Sequence, residues 1–192
     1  MIQKMGKELH AATSAFQATD LGTQKPRIFD MCAAPGGFLA TALEMCPEAR
    51  AMAFTFPIAA GGHRGLLGRD IRVKFKFLDI TMLAEDMDTS VIGVDHEQHG
   101  EFLPRKIPYC HLFHLILCDG QVLRTQSRPE YRKPREAHRL VSTQLALGLE
   151  HAEPGGTMII LLHKLEQWDT PMLLFTFDKF HTIASFEPQV LT

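Results

Sequence analysis

The chain has no apolar run near the roughly 18 residues that a membrane-spanning helix needs, so no such helix is expected. Its first residues, Met1-Ile2-Gln3-Lys4-Met5-Gly6-Lys7, lack the apolar centre of a secretory signal. Cysteine is scarce: Cys32, Cys46, Cys110 and Cys118 show no CxxC spacing. That argues against a zinc site or a disulfide frame, and for reduced, partly buried thiols of an intracellular protein of the cytoplasm or nucleus. A surplus of positive charge is missing too. The net charge of −2 argues against a generally basic nucleic-acid binder. Ten histidines include His111, His114, His138 and His163, but no spacing among them fixes a metal. No internal repeat is visible. What the chain does have is 45% hydrophobic residues in a length of 192, which makes one compact domain, residues 1–192, the default.

Apolar runs alternate with helical patterns. Residues 1–19 place Ile2, Met5, Leu9, Ala12 and Phe16 at helical spacing. Strands are predicted at Ile28–Cys32, Ala51–Phe56, Val73–Leu78, Phe113–Cys118, Thr157–His163 and His181–Phe186. The third alternates lysine with apolar residues, which suits a sheet edge. Helices are predicted after the first strand, with Phe38, Leu39, Ala42, Leu43 and Met45 and a stop before Pro47. Two more are predicted over Arg135–His151 and Pro171–Phe180, and Glu153-Pro154-Gly155-Gly156 punctuates the chain between them. Residues 84–109 are acidic and rich in turn formers, which predicts a loop or short helix. Alternating β and α units imply an α/β fold, a mostly parallel sheet with helices on both faces.

Three segments carry chemistry. Phe29-Asp30-Met31-Cys32-Ala33-Ala34-Pro35-Gly36-Gly37-Phe38 reads as a strand, a glycine turn and a helix start. Such a turn lets a ligand approach bare backbone beside a helix N-terminus. Leu115-Ile116-Leu117-Cys118-Asp119-Gly120 and Ile160-Leu161-Leu162-His163-Lys164 each deliver an ionisable residue at the C-terminal end of a strand. In open α/β sheets that edge is where ligands bind. A buried strand end seldom carries a lone carboxylate without a partner, which singles out Asp119. A lysine in a dry site near another cation has a lowered pKa, which suits Lys164 to accept a proton. Residues 124–139 hold Arg124, Arg128, Arg132, Lys133, Arg135 and Arg139 against Glu130 and Glu136, a local excess of four positive charges. Residues 85–101 hold six acids and no Lys or Arg.

Asp-Met-Cys-Ala-Ala-Pro-Gly-Gly-Phe, Leu-Cys-Asp-Gly and Leu-His-Lys-Leu-Glu together resemble the motifs of the FtsJ/RrmJ-like methyltransferases, from about residue 4 to residue 188. The resemblance implies a Rossmann-like methyltransferase fold, S-adenosylmethionine as cofactor and an RNA ribose 2′-hydroxyl as methyl acceptor. It implies cofactor contacts from Asp30, Ala34, Pro35, Gly36, Gly37, Phe38 and Asp119, with Asp79 accepting from the adenine amino group. Relatives carry an acid after strand two for the ribose. Here Thr55-Phe56-Pro57-Ile58 has none, which leaves backbone for that contact. The family's Lys-Asp-Lys-Glu tetrad matches Lys4 (or Lys7, one turn on), Asp119 and Lys164. Its Glu comes from a final antiparallel strand. The sequence runs out at Phe186-Glu187-Pro188-Gln189-Val190-Leu191-Thr192, so that strand is expected to be missing, and neither Glu187 nor Glu166 is a good match. Arg124, Arg128, Arg132, Lys133 and Arg135 are the expected RNA contacts. The alternative is a catalytically impaired relative that serves as a cofactor-binding or interaction module.

Overall fold

The computed structural model describes residues 1–17, 25–89, 91–162 and 169–188. In chain order the elements are α1 (Ile2–Thr13), β1 (Arg27–Asp30), α2 (Gly37–Met45), β2 (Arg50–Thr55), β3 (Val73–Phe77), β4 (Phe113–Cys118), α3 (Glu136–Glu150), β5 (Ala152–Ile160) and α4 (Asp169–Phe177). The five strands form one sheet in the order β3-β2-β1-β4-β5, with every pairing parallel. The order reverses between β1 and β4, so the sheet's switch point lies at their C-terminal ends, where Asp30 and Asp119 emerge.

Alternation along the strands builds two cores. Ile28, Ala51, Ala53, Leu115 and Leu117 face one way, onto Phe38, Leu39, Ala42 and Leu43 of α2 and onto Phe16 beyond α1. Phe29, Met52, Phe54, Ile116 and Cys118 face the other way, onto Leu147 of α3 and the turn residues Ile80 and Leu83. Burial on both faces explains why the central strands read as unbroken apolar runs. β3, with its lysines, is at an edge as its alternation predicts.

The structure corrects several boundaries. α1 stops at Thr13 because Ser14 turns left-handed (φ 56°) and its N–H donates to the His10 carbonyl. Phe16 is still buried, but from the loop. The Glu153–Gly156 segment lies inside β5 as an irregularity: Phe113 pairs with Ala152 and Leu115 with Thr157. β5 is described only to Ile160, so His163 falls outside the described residues. His181–Phe186 is not a strand. The His181 N–H donates to the Phe177 carbonyl, and its ring lies 5.7 Å from that of Phe177 and 4.6 Å from that of Phe180. The end of α4 thus holds the first residue of the predicted strand. No antiparallel strand occurs among the described residues.

One buried ionic cluster fastens α3 to the turn after β3. Arg132, in the 3-10 stretch Glu130–Arg135 that leads into α3, is only 4% exposed. It donates to both Glu136 oxygens (2.9 and 2.6 Å), to Asp79 Oδ2 (3.1 Å) and to Thr81 Oγ1 (2.9 Å). Asp79 Oδ1 in turn accepts from the Thr81 N–H and hydroxyl, and Arg139 donates to the Thr81 hydroxyl and carbonyl. Removing one member of a buried pair strands the other's charge. Arg132→Ala should therefore cost about 3–5 kcal/mol of unfolding free energy in urea titration. A loss within about 0.5 kcal/mol, as for an ordinary surface change, would show that the cluster does not hold α3 in place.

Candidate functional site

The site is built where the glycine turn passes over the switch point. β1 ends at Asp30, which is 1% exposed. Its Oδ1 accepts from the Cys32 N–H (3.1 Å), which bends the chain out of the strand. Pro35 follows a cis peptide bond, and Gly36 caps α2 with φ 102°. A side chain at Gly36 is disfavoured by that φ, and its Cβ would meet the Ala33 carbonyl at 3.2 Å and Leu67 at 3.4 Å. No side chain caps α2, so its first N–H groups have no side-chain acceptor.

Asp119 follows β4, beside Asp30. Its Oδ1 is shielded from solvent and has no hydrogen-bond partner among the described residues. Burial pushes its pKa up to about 6. Burial, and then the charge of Asp119, pushes Asp30 well above the usual carboxylate range. Cys32 is raised in the same way, by burial first and then by the two aspartates, which keeps its thiol protonated. The cluster has negative charge and no cation among the described residues, so it is suited to a positive group.

Gln144 of α3, a residue the sequence reading treats only as part of the helix, holds Asp119 in place from behind. Its Oε1 accepts from the Gly120 N–H (2.8 Å) and its Nε2 donates to the Gly120 carbonyl (3.3 Å). A Cβ at Gly120 would run into Cys32 Sγ and Gln144 Oε1, so only glycine fits that close approach. A buried glutamine on the apolar stripe of a helix was the available signal.

The structure sorts the other predicted residues. Ala34, Pro35 and Gly36 line the turn, but the bare face of Gly37 is filled by α1, since its Cβ would meet Ile2 at 2.7 Å. Phe38 points into the core, stacked 6.4 Å from Phe16. Asp79 is held by Thr81 and Arg132 rather than standing free as an acceptor. Arg132 is corrected from RNA contact to buried ion-pair member, because its charge is already shared by Asp79 and Glu136. Arg124, Lys133 and Arg135 are exposed and Arg128 is half-buried, with Lys133 paired to Glu130. Lys4 is 70% exposed and lies 3.8 Å from Glu8, while Lys7 pairs with Glu44 at 2.8 Å. Neither contacts Asp119. Lys164 and Glu166 lie outside the described residues, although β5, which leads to them, is next to β4 with Ile160 opposite Cys118.

A carboxylic acid whose folded pKa is raised adds stability that is present below its unfolded pKa and lost as pH rises through the folded value. For Asp119 that window runs from about 4 to about 6. Asp119→Asn should therefore stabilise the ligand-free protein above pH 6, on the order of 1–2 kcal/mol after allowance for partial solvent access. It should also flatten the fall in stability between the two pH values. Urea titrations at low and neutral pH measure both effects, and a variant less stable than the parent at neutral pH would contradict the placement of Asp119.

Comparison with known proteins adds a family to this geometry. Residues 7–191 match the sequence profile of the FtsJ-like methyltransferases. No curated protein matches the chain. Among solved structures, the crystal structure of CalO1, a methyltransferase in calicheamicin biosynthesis, in its SAH-bound form, is 17% identical with a TM-score of 0.30. The match covers 59% of this chain, and the chain spans only 27% of the length of that protein. FtsJ-like methyltransferases take their methyl group from S-adenosylmethionine. The profile spans the glycine turn, the switch-point carboxylates and all five strands of the sheet, and the chain belongs to the FtsJ-like methyltransferase family.

Proposed function

We propose that the chain transfers a methyl group from S-adenosylmethionine to a ribose 2′-hydroxyl of RNA. The observation that supports this best is the shielded, unpartnered Asp119 Oδ1, beside the buried Asp30 at the switch point. The cofactor, when bound, supplies an electrophilic methyl group on a positively charged sulfur. Asp30 and Asp119 provide the matching negative charge in a dry site, where fixed charges act most strongly. The uncapped first turn of α2, after Ala34-Pro35-Gly36, presents N–H groups that suit the carboxylate of the cofactor's amino-acid tail. Lys164 is the residue proposed to take the proton from the ribose hydroxyl, with Asp119 stabilising its ammonium form.

Calorimetric titration with S-adenosylmethionine tests the first half. Binding at a single site is expected, weakened at least about tenfold by Gly36→Val, which forces a branched side chain into a left-handed turn. Parent-like affinity in a folded Gly36→Val variant would move the site elsewhere. A methyl-transfer assay on capped and uncapped RNA tests the second half. Lys164→Ala should abolish transfer while leaving cofactor affinity unchanged, because the lysine acts only on the acceptor's proton.

One observation favours a second reading, a cofactor-binding module without transfer. Lys4, the match to the first tetrad lysine, is turned to solvent and paired with Glu8. Cofactor binding without transfer to either RNA would establish that reading.

A further inference from the structure

Asp119 opens a loop whose next anchorage is several residues on. That anchorage is the rim of the site, where the Thr125 hydroxyl donates to the Gly61 carbonyl (2.8 Å) and the Ser127 N–H to the Ala60 carbonyl (2.9 Å). Among the described residues, the hydrogen bonds that tie residues 119–123 to another element come from Gln144. They engage the peptide groups on both sides of Gly120, so the backbone leaving Asp119 is fixed at two points. A carboxamide suits this task because it accepts and donates from one flat group. An aliphatic side chain does neither, and an ionised carboxylate only accepts.

Gln144 is itself fixed. It is buried, and its Nε2 also donates to the Leu140 carbonyl (3.4 Å), while the Cys118 thiol donates to its backbone carbonyl (3.8 Å). It follows Glu136 by eight residues, about two turns along one face of α3. Glu136 belongs to the ionic cluster that pins the start of α3 to the turn after β3. The helix is thus an arm anchored at one end, with Gln144 reaching Gly120 from further along it. Cys32 Sγ closes in where a Cβ of residue 120 would stand, which leaves the loop little room to swing.

We infer that Gln144 is the positioning residue through which the site discriminates the methyl donor from its spent product, by holding Asp119 beside the place of the charged sulfur. This rests on the proposed binding of S-adenosylmethionine. The donor's sulfur is positive, and once the methyl group has left it is a neutral thioether. A carboxylate held in a dry site attracts the first and not the second. The same carboxylate swung into water loses most of that preference, because solvent screens it. The titratable groups around Asp119 are Asp30, Cys32 and Cys118, and burial pushes both thiols up, so they stay neutral. The discrimination therefore falls to the two aspartates, of which Asp119 is the one that Gln144 holds.

The test compares S-adenosylmethionine with its demethylated product, S-adenosylhomocysteine, by calorimetry at about pH 8, above the pKa of Asp119. Gln144→Met keeps the length of the side chain and removes both contacts with Gly120. It should lower the ratio of donor to product affinity several-fold, mainly by weakening the donor. In an Asp119→Asn background the same substitution should leave the ratio unchanged, since Gln144 acts through the carboxylate. Leu147→Val loosens α3 in the core without touching Gly120, and should lower stability while leaving the ratio alone. In the ligand-free protein, carbon NMR of the Asp119 carboxyl should show a pKa of about 6 in the parent, falling toward about 4 in Gln144→Met as the freed group reaches water. Gln144→Leu removes the same contacts and takes the place of a methionine variant that does not fold. The inference is overturned by an unchanged ratio in a folded Gln144 variant, or by an equal loss in the Asp119→Asn background or in Leu147→Val. A parent Asp119 that titrates in the ordinary carboxylate range overturns it as well. A parent that binds neither ligand sinks the proposed cofactor reading instead, and the Asp119 titration then decides alone whether Gln144 positions it.

Discussion

Two carboxylates that repel each other set the terms of the site. Asp30 and Asp119 leave neighbouring parallel strands at the point where the sheet order reverses, and burial makes both costly to ionise. Left to itself the chain would relax by swinging one of them into water. It is prevented from doing so on each side. The Cys32 N–H holds Asp30 Oδ1, and Gln144 grips both faces of the peptide at Gly120. The absence of a side chain at Gly120 is what lets Cys32 and Gln144 come so near. The arrangement gives up stability in the ligand-free protein, as expected of a site prepared for positive charge.

The basic run divides by burial rather than by sequence. Arg132 and Arg139 turn inward and bind the turn after β3 to α3. Their neighbours Arg124, Arg128 and Arg135 stay outside that cluster. A guanidinium serves either purpose, because its fork satisfies a buried carboxylate as well as a phosphate. Which purpose prevails is set by Asp79 and Glu136. Both carboxylates stand within reach of the Arg132 fork, and they make it a buried part of the fold.

Much of this was legible in the sequence, for identifiable reasons. The central strands were visible because burial on both faces demands unbroken apolar residues, and β4 was bounded correctly at both ends. The glycine turn and Asp119 were visible because small residues and a lone acid are out of place at the end of such runs. Other features depended on contacts that no local pattern encodes. Phe38 was expected in the helix after the glycine turn, and the approach of Phe16 from the α1 side is what packs it into the core. Arg132 looked exposed because Glu130, Lys133 and Arg135 around it are polar. The predicted strand at His181 failed because aromatic stacking with Phe177 and Phe180 extends the end of α4.

The contact between Thr125 and Gly61 joins residues 64 apart in the chain. Contacts of that span bear a loop-closure cost. Together with the Ser127–Ala60 bond it makes two hydrogen bonds on the rim, while the sheet beneath is held by whole ladders. Its opening free energy is therefore a small part of that of the global transition. The rim is thus expected to open at a lower free energy than the sheet, which amide hydrogen exchange at Ser127 would read against that of β1.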